Sequence, residues 1–267
     1  MIKPMLCNVY KEGKIPFPCY VQPKLDGVRC LLDNTEAYTR NGKRHKDHIQ
    51  ELLEPHMPGF DSWATLDGEL MLPDATFQQT ISAVKKDSEN TRKLVYHVYD
   101  FCPAKGRVDF FDFRNSVLEV EITDGENIKV LPTYMVRDQE ELDLYHRDFV
   151  GMGYEGTIMR DLKQPYLPGS RKAMWKRKDF KDDEFKIVGC EEGQGKNAGT
   201  PVFICQRWNS DSYSIFRCVP VGTYARKRQM WADRDSLVGK MMTVRYQELT
   251  DGGVPRFPVG VEIRDYE

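Results

Sequence analysis

The chain has 267 residues and a mass of 31.0 kDa, which is enough to bury a sizeable core, and we expect two unequal domains. With 40% hydrophobic and 30% charged residues, and no apolar run near the ~20 residues of a membrane helix, the composition excludes a membrane-embedded protein. The first 14 residues contain no apolar leader, so we expect no signal peptide and a cytoplasmic location.

The net charge of -2 does not indicate a nucleic-acid binder, but basic residues cluster at 40–46, 171–181 and 226–228. Seven cysteines form no C-x-x-C pair, so we expect reduced thiols. Five histidines without H-x-x-x-H spacing argue against a zinc site. Any metal would then take hard oxygen ligands, which suits magnesium.

The N-terminal two thirds of the chain alternates β-forming segments with amphipathic helical patterns, which predicts an α+β domain. The predicted strands cover residues 19–24, 28–34, 36–41, 66–70, 94–101, 128–136, 153–160 and 173–178. The predicted helices cover residues 46–57, 75–86, 113–122 and 138–150.

A charged run at residues 178–186, KDFKDDEFK, is interpreted as a linker or hinge, so we place the domains at 1–181 and 182–267. Five short strands are predicted beyond it, at residues 184–192, 201–208, 213–221, 241–249 and 259–265. A helical stretch at about 224–236 interrupts them. This pattern fits a small OB-type barrel, a frequent oligonucleotide-binding module.

Residues 24–29 read KLDGVR and place the amine of Lys24, the carboxylate of Asp26 and the cation of Arg29 within six positions. Lysine attacks phosphorus only as the free amine, so neighbouring cations or desolvation must lower the pKa of a nucleophilic lysine. Arg29 or a bound metal could do so. The hexapeptide therefore predicts a reaction centre.

Further candidates follow at ordered positions, although each also has an ordinary structural explanation. Arg40 precedes an Asn-Gly turn, where its guanidinium could bind a ribose hydroxyl or phosphate, or simply lie on a surface hairpin. Glu69 in LDGEL could hold a ribose hydroxyl or a metal. Tyr99 in VYHVYDF could stack on a nucleobase or belong to the core.

Glu155 follows the Gly-Met-Gly sequence at 151–153, so a loop could direct its carboxylate into a cleft. The alternative is a buried carboxylate that forms a structural ion pair. Lys176 and Lys178 alternate in MWKRK and share one strand face. Two such cations suit an α-phosphate, and an exposed edge strand would explain them equally well.

Together, these motifs resemble the ATP-dependent DNA ligases of the covalent nucleotidyltransferase superfamily, in the minimal two-domain form of small viral, phage or bacterial enzymes. The motifs that carry the resemblance are KLDGVR, LDGEL, VYHVYDF, EGTIMR and WKRK, with KPML as a lead-in and PRFPVGVEIRD near the end. The resemblance implies an ATP-grasp-like nucleotidyltransferase domain, with antiparallel sheets and flanking helices, followed by an OB-fold barrel. It also implies a monomer that seals nicks in duplex DNA through a lysyl-AMP, with ATP and magnesium or manganese.

By position, the resemblance implies Lys24 as the nucleophile, with Asp26 and Glu155 as further catalytic groups. It implies the following ligands: Arg29, Arg40 and Glu69 for sugar or phosphate, Tyr99 and the Gln22 backbone for adenine, Lys176 and Lys178 for the α-phosphate, Arg264 for pyrophosphate, and Asp26, Glu69 and Glu155 for the metal.

Three other functions remain open. A capping guanylyltransferase uses the same lysine chemistry with GTP, and an RNA ligase usually lacks the full K-x-D-G-x-R pattern. A non-catalytic OB-type nucleic-acid-binding protein would leave the ordered motifs unexplained. Only 23 residues precede Lys24, so we expect the two core domains themselves to hold the DNA, and the segment 225–234, ARKRQMWADR, is a candidate contact.

Overall fold

The structure is a computed structural model that describes residues 2–56, 65–103, 108–208, 213–250 and 252–264. The chain divides into two compact units, Met1–Lys178 and Asp179–Glu267. No helix in the described part of the chain is long and apolar enough to cross a membrane.

The first unit contains two five-stranded sheets. Sheet I has the strand order β1-β10-β9-β2-β8, and sheet II has the order β4-β3-β5-β6-β7. The strands of sheet I are β1 (Asn8–Val9), β2 (Cys19–Lys24), β8 (Tyr134–Val136), β9 (Gly156–Arg160) and β10 (Met174–Lys178). The strands of sheet II are β3 (Val28–Leu32), β4 (Ala37–Thr39), β5 (Thr65–Met71), β6 (Val95–Cys102) and β7 (Ile128–Val130). Pairing is antiparallel except for β1 with β10 and β6 with β7.

Among the described residues of this unit, five helices flank the sheets: α1 (Asp47–Leu53), α2 (Phe77–Lys85), α3 (Glu89–Arg92), α4 (Phe111–Glu121) and α5 (Gln139–Gly151). The apolar faces of α1, α2 and α4 pack on sheet II through residues such as Ile49, Val84 and Leu118. The α5 face packs on sheet I through Leu142 and Phe149. Each sheet therefore has a core on its helix side, as the amphipathic patterns predict.

In the first unit, two predicted elements differ clearly from the structure. The single strand expected at 128–136 is wrong, because β7 and β8 belong to different sheets and the chain crosses between them at Leu131–Thr133. Pro132 has no N–H to donate to a ladder, which favours this break. The helix expected at 46–57 ends at Leu53 and continues only as a 3₁₀ turn, Glu54–His56, containing Pro55; its final residue, 57, lies outside the described residues.

The second unit is a closed five-stranded barrel with the strand order β11-β12-β13-β15-β14. Its strands are β11 (Lys181–Glu192), β12 (Pro201–Trp208), β13 (Tyr213–Pro220), β14 (Met241–Tyr246) and β15 (Val259–Arg264). Two helices, α6 (Tyr224–Ala232) and α7 (Arg234–Leu237), follow the third strand. Alternate side chains such as Phe203, Phe216 and Val244 fill the interior. The expected OB-type barrel is thus confirmed.

The interpreted linker is mostly strand. Because β10 ends at Lys178 and β11 begins at Lys181, only Asp179 and Phe180 lie between them. Residues 181–186 form ladder pairs with β14.

Candidate functional site

A cavity of about 190 Å³ lies in the first unit, between sheets I and II. Both sheets contribute to its wall. The lining residues that bear the site's chemistry are Gln22, Lys24, Arg29, Arg40, Glu69, Tyr99, Ile158, Arg160, Arg171 and Lys176. Most of the side chains that the sequence motifs single out therefore meet at one place.

Strand register sets Lys24 and Lys178 on the two flanks of β9. Gly156 pairs with Lys24 on one side and with Lys178 on the other. The preceding residue, Glu155, donates its backbone N–H to the Lys24 carbonyl at 3.0 Å. The Glu155 carboxylate contacts both lysine Nζ atoms. One carboxylate thus joins two lysine side chains that are 154 positions apart in sequence.

The lysine–glutamate cluster differs from the expected surroundings of Lys24, since an anion is present among the cations. Burial acts to raise the pKa of Glu155, but Lys24 and Lys178 outweigh it, and the pKa lies below its usual value. Burial and the repulsion of Lys24 lower the pKa of Lys178 despite its contact with Glu155. Glu155 therefore remains ionised as the shared partner of the two lysines.

Gly156 permits this arrangement. Its φ of +150° is one that residues with a Cβ rarely adopt, and an added Cβ would lie 2.1 Å from the Arg177 carbonyl oxygen. Gly27 in the loop after Lys24 is similarly confined, because its Cβ would meet the Leu70 carbonyl oxygen at 2.4 Å. Both glycines let backbones approach closely beside the cavity.

Arg29 lies on the sheet II side, directly opposite Glu69 in the β3–β5 ladder. Its Nε and Nη2 donate to both oxygens of Asp67, at 2.8 and 2.5 Å, and Nη1 donates to the Met5 carbonyl at 2.7 Å. The Tyr166 hydroxyl donates to Asp67 at 2.6 Å. These bonds hold the guanidinium at the cavity wall.

Glu69 contributes a carboxyl group to the cavity lining, and the pKa of this group lies well above its usual value. Burial raises the pKa of Glu69 to about 7, although Lys24 and Arg29 act in the opposite direction. Near neutral pH its carboxyl group is therefore partly protonated and can donate a hydrogen bond as well as accept one.

Tyr99 reaches the cavity because of a β-bulge. The β5–β6 register shifts so that Asp67 pairs with Asp100 while Gly68 pairs with Val98, leaving Tyr99 as the extra residue. Tyr96, by contrast, is fully buried in the core. The guanidinium carbons of Arg29 and Arg160 lie 5.8 and 5.4 Å from the Tyr99 ring centroid.

The remaining predicted residues are placed as follows. Lys176 lines the cavity, and Arg40, exposed beside the Asn41-Gly42 turn, lines its rim. Asp26 is half-buried in the loop between β2 and β3. Arg264 belongs to the second unit, where its Nε donates to Thr243 Oγ1 at 2.8 Å and ion pairs link it to Glu184 and Glu262.

Metal binding was expected at Asp26, Glu69 and Glu155. Within the described ranges, no group of three or more histidine, cysteine or acidic side chains is placed to hold a metal ion. Magnesium commonly binds through one or two carboxylates together with substrate phosphates, and the oxygen donors at this cavity fit that mode.

Sequence reasoning did not identify Asp67, Arg160, Tyr166 or Gly156. Arg160 has a usable signal, because Gly156, Ile158 and Arg160 alternate along β9 and so share the cavity face. Asp67 has the same kind of signal, because it alternates with Glu69 along β5. Tyr166 has none, since only the tertiary fold brings it to Asp67.

Family models match both units. The ATP dependent DNA ligase domain matches residues 4–178, and the DNA ligase OB-like domain matches residues 192–264. A DNA ligase of African swine fever virus is 25% identical over 293 aligned positions, covering 96% of this chain and 67% of the viral protein. The alignment covers 61% of the DNA ligase of a second viral isolate and 37% of a probable DNA ligase of Rhodococcus jostii.

Solved structures show the same fold. A Lig E DNA ligase superposes with a TM-score of 0.80 at 23% identity, covering 99% of this chain and all of that chain. The Chlorella virus DNA ligase-adenylate gives a TM-score of 0.57 at 25% identity, covering 98% and 99% of the two chains. Because the first family model alone spans well over half of the sequence, with the ordered motifs converging on one cavity, the chain belongs to the ATP-dependent DNA ligase family.

Proposed function

We propose that this chain is an ATP-dependent DNA ligase that seals nicks in duplex DNA through an AMP group carried on Lys24. The observation that supports this most directly is the convergence of Lys24, Lys178 and Glu155 beside a cavity that also presents Arg29, Glu69 and Tyr99. Nucleotidyl transfer needs a positioned amine, cations for the phosphate oxygens and a surface for the base, and these groups supply all three.

In the first step, the free amine of Lys24 attacks the α-phosphorus of ATP, a P–N bond forms, and the bond to pyrophosphate breaks. Lys176 and Lys178 neutralise the α-phosphate oxygens. Arg29, Glu69 and the rim residue Arg40 hold the sugar or phosphates.

The base stacks on Tyr99 and meets the Gln22 backbone. Asp26, Glu69 or Glu155 would hold magnesium or manganese together with the ATP phosphates, where the ion supplies further charge neutralisation. Arg264 of the barrel is proposed to orient pyrophosphate.

In the later steps, AMP passes from Lys24 to the 5′-phosphate of a nick, and the 3′-hydroxyl then attacks that phosphate and releases AMP. The chain spans between about a third and two thirds of the curated relatives' length, so the DNA substrate and action as a monomer are part of the proposal.

Incubation with a divalent metal and α-labelled ATP or GTP, followed by denaturation, tests the first step. We expect label from ATP on the wild type and none on Lys24→Ala. Label from GTP alone would favour capping chemistry, and no label would contradict the proposal. Joining assays with nicked DNA and with RNA ends then identify the polynucleotide.

A further inference from the structure

A buried hydrogen-bond network forms part of the wall of the proposed nucleotide cavity. Arg160 donates from Nη1 to Asp100 Oδ2 and from Nε to Gln22 Oε1, each at 2.6 Å. The Gln22 Nε2 donates to the Tyr99 carbonyl at 3.1 Å and to Thr133 Oγ1 at 2.9 Å. Arg160, Gln22 and Asp100 are at most 3% exposed.

The partners allow only one orientation of the Gln22 amide. A guanidinium can only donate hydrogen bonds, and a backbone carbonyl can only accept them. The carbonyl oxygen of Gln22 must therefore face Arg160, and its nitrogen must face Tyr99. In that orientation the amide connects β9 to the bulge of β6, which carries the base-stacking side chain.

The Arg160 guanidinium also lies over two aromatic rings, those of Tyr99 and Phe111. Its guanidinium carbon lies 5.4 Å from the Tyr99 ring centroid and 4.7 Å from that of Phe111. Asp100 is shared with a second guanidinium, that of Arg114, whose Nε and Nη2 lie 2.7 and 3.1 Å from its oxygens. One carboxylate thus serves two cations, and the electron-rich ring faces supply further favourable contacts for Arg160.

We propose that Arg160 is a positioning residue for the nucleotide: through Gln22 and the ring face it fixes Tyr99 at the depth and angle at which the base stacks. Without Arg160, the Gln22 amide keeps the partners of its nitrogen but loses the donor to its oxygen, and the bulge loses its direct contacts with β9. The base-binding wall then becomes mobile, while the Lys24–Glu155–Lys178 cluster keeps its partners. This inference rests on the proposed function.

The test is the ATP concentration dependence of Lys24 labelling in Arg160→Met. Loss of a charge-assisted hydrogen bond and of wall rigidity should raise the KM for ATP roughly tenfold. The labelling rate at saturating ATP should stay within about threefold of the wild type, because the reacting groups are untouched. Gln22→Met should act through the same unit, so the double variant should be no worse than the poorer single variant.

Arg114→Met is the matched control, since Arg114 is equally buried on Asp100 but contacts Phe111 and Tyr166 rather than Gln22 or Tyr99. We expect it to lower thermal stability and leave the KM for ATP unchanged. If either methionine variant fails to fold, Arg160→Lys and Arg114→Lys are compared in the same way. Lysine keeps the positive charge but lacks the planar guanidinium that donates hydrogen bonds in two directions.

An unchanged KM in the Arg160 variants, or an equal rise in the Arg114 variants, would overturn the positioning role while leaving the proposed function intact. Additive effects in the double variant would also overturn it. A wild type that takes no label from ATP would instead overturn the proposed function, and this inference with it.

Discussion

A single methyl group at Gly156 should disrupt the cluster that joins the two lysines. An ideal Cβ would lie 2.1 Å from the Arg177 carbonyl oxygen, whereas real Cβ atoms essentially never approach closer than 3.0 Å. Strand β10 would therefore have to move by about 0.9 Å relative to β9. The φ of +150° adds strain of roughly 1–3 kcal/mol for a residue with a Cβ. The shift falls between the positions that hold Lys24 and Lys178 in register.

Because a misplacement of about 1 Å can cost on the order of 100-fold in rate, we expect Gly156→Ala to slow Lys24 adenylation by about that factor. The assay is single-turnover transfer of label from α-labelled ATP at saturating nucleotide, with thermal unfolding measured on the same samples.

Gly153→Ala is the control. Gly153 also has a positive φ, +89°, but an added Cβ there would meet nothing within 4 Å. It should lose stability through backbone strain and keep a wild-type adenylation rate. Equal rates for the two variants would refute the reasoning from strand separation.

Three further outcomes are expected. Burial raises the pKa of Glu69 to about 7 and so favours its protonated form in the folded state. The wild type should therefore lose stability as pH rises from about 4.5 to above 7. Glu69→Gln should flatten this part of the pH profile of the melting temperature. Asp67 and Asp182 both make bidentate pairs with arginine, but their side chains are 1% and 40% exposed. In denaturant titrations, Asp67→Asn should therefore lower the free energy of unfolding by about 3–5 kcal/mol, and Asp182→Asn by about 0–1 kcal/mol. Equal losses in the two variants would contradict the argument from burial. Helix α6 has no buried residues and exposes Arg226 and Arg228. If this helix contacts DNA phosphates, reversing both charges should reduce the slope of log affinity against log salt concentration for nicked DNA by about 2. An unchanged slope would exclude that contact.

Local patterns were sufficient to predict much of the architecture. Segments rich in β-forming residues predict β2, β3 and the barrel strands. The spacing of Phe77, Ile81 and Val84 predicts α2, because side-chain direction follows from backbone periodicity. The pattern at 128–136 led to a wrong prediction of one strand. Three strand residues lie on each side of Leu131–Thr133, and their sequence does not show whether they form one strand or belong to two sheets.

The sequence by itself determined the candidate residues for the chemistry and their order, because nucleotidyl transfer restricts the residue types that can serve. These candidates include Lys24 in KLDGVR, Glu69 in LDGEL and the lysines of MWKRK. Tertiary structure alone decided how they are paired. The shared contact of Glu155 with Lys24 and Lys178, and the anchoring of Arg29 by Asp67 and Tyr166, join residues 23 to 131 positions apart. No local pattern encodes such pairs, since ladder register, a β-bulge and close backbone approach at glycine arise only when the sheets assemble.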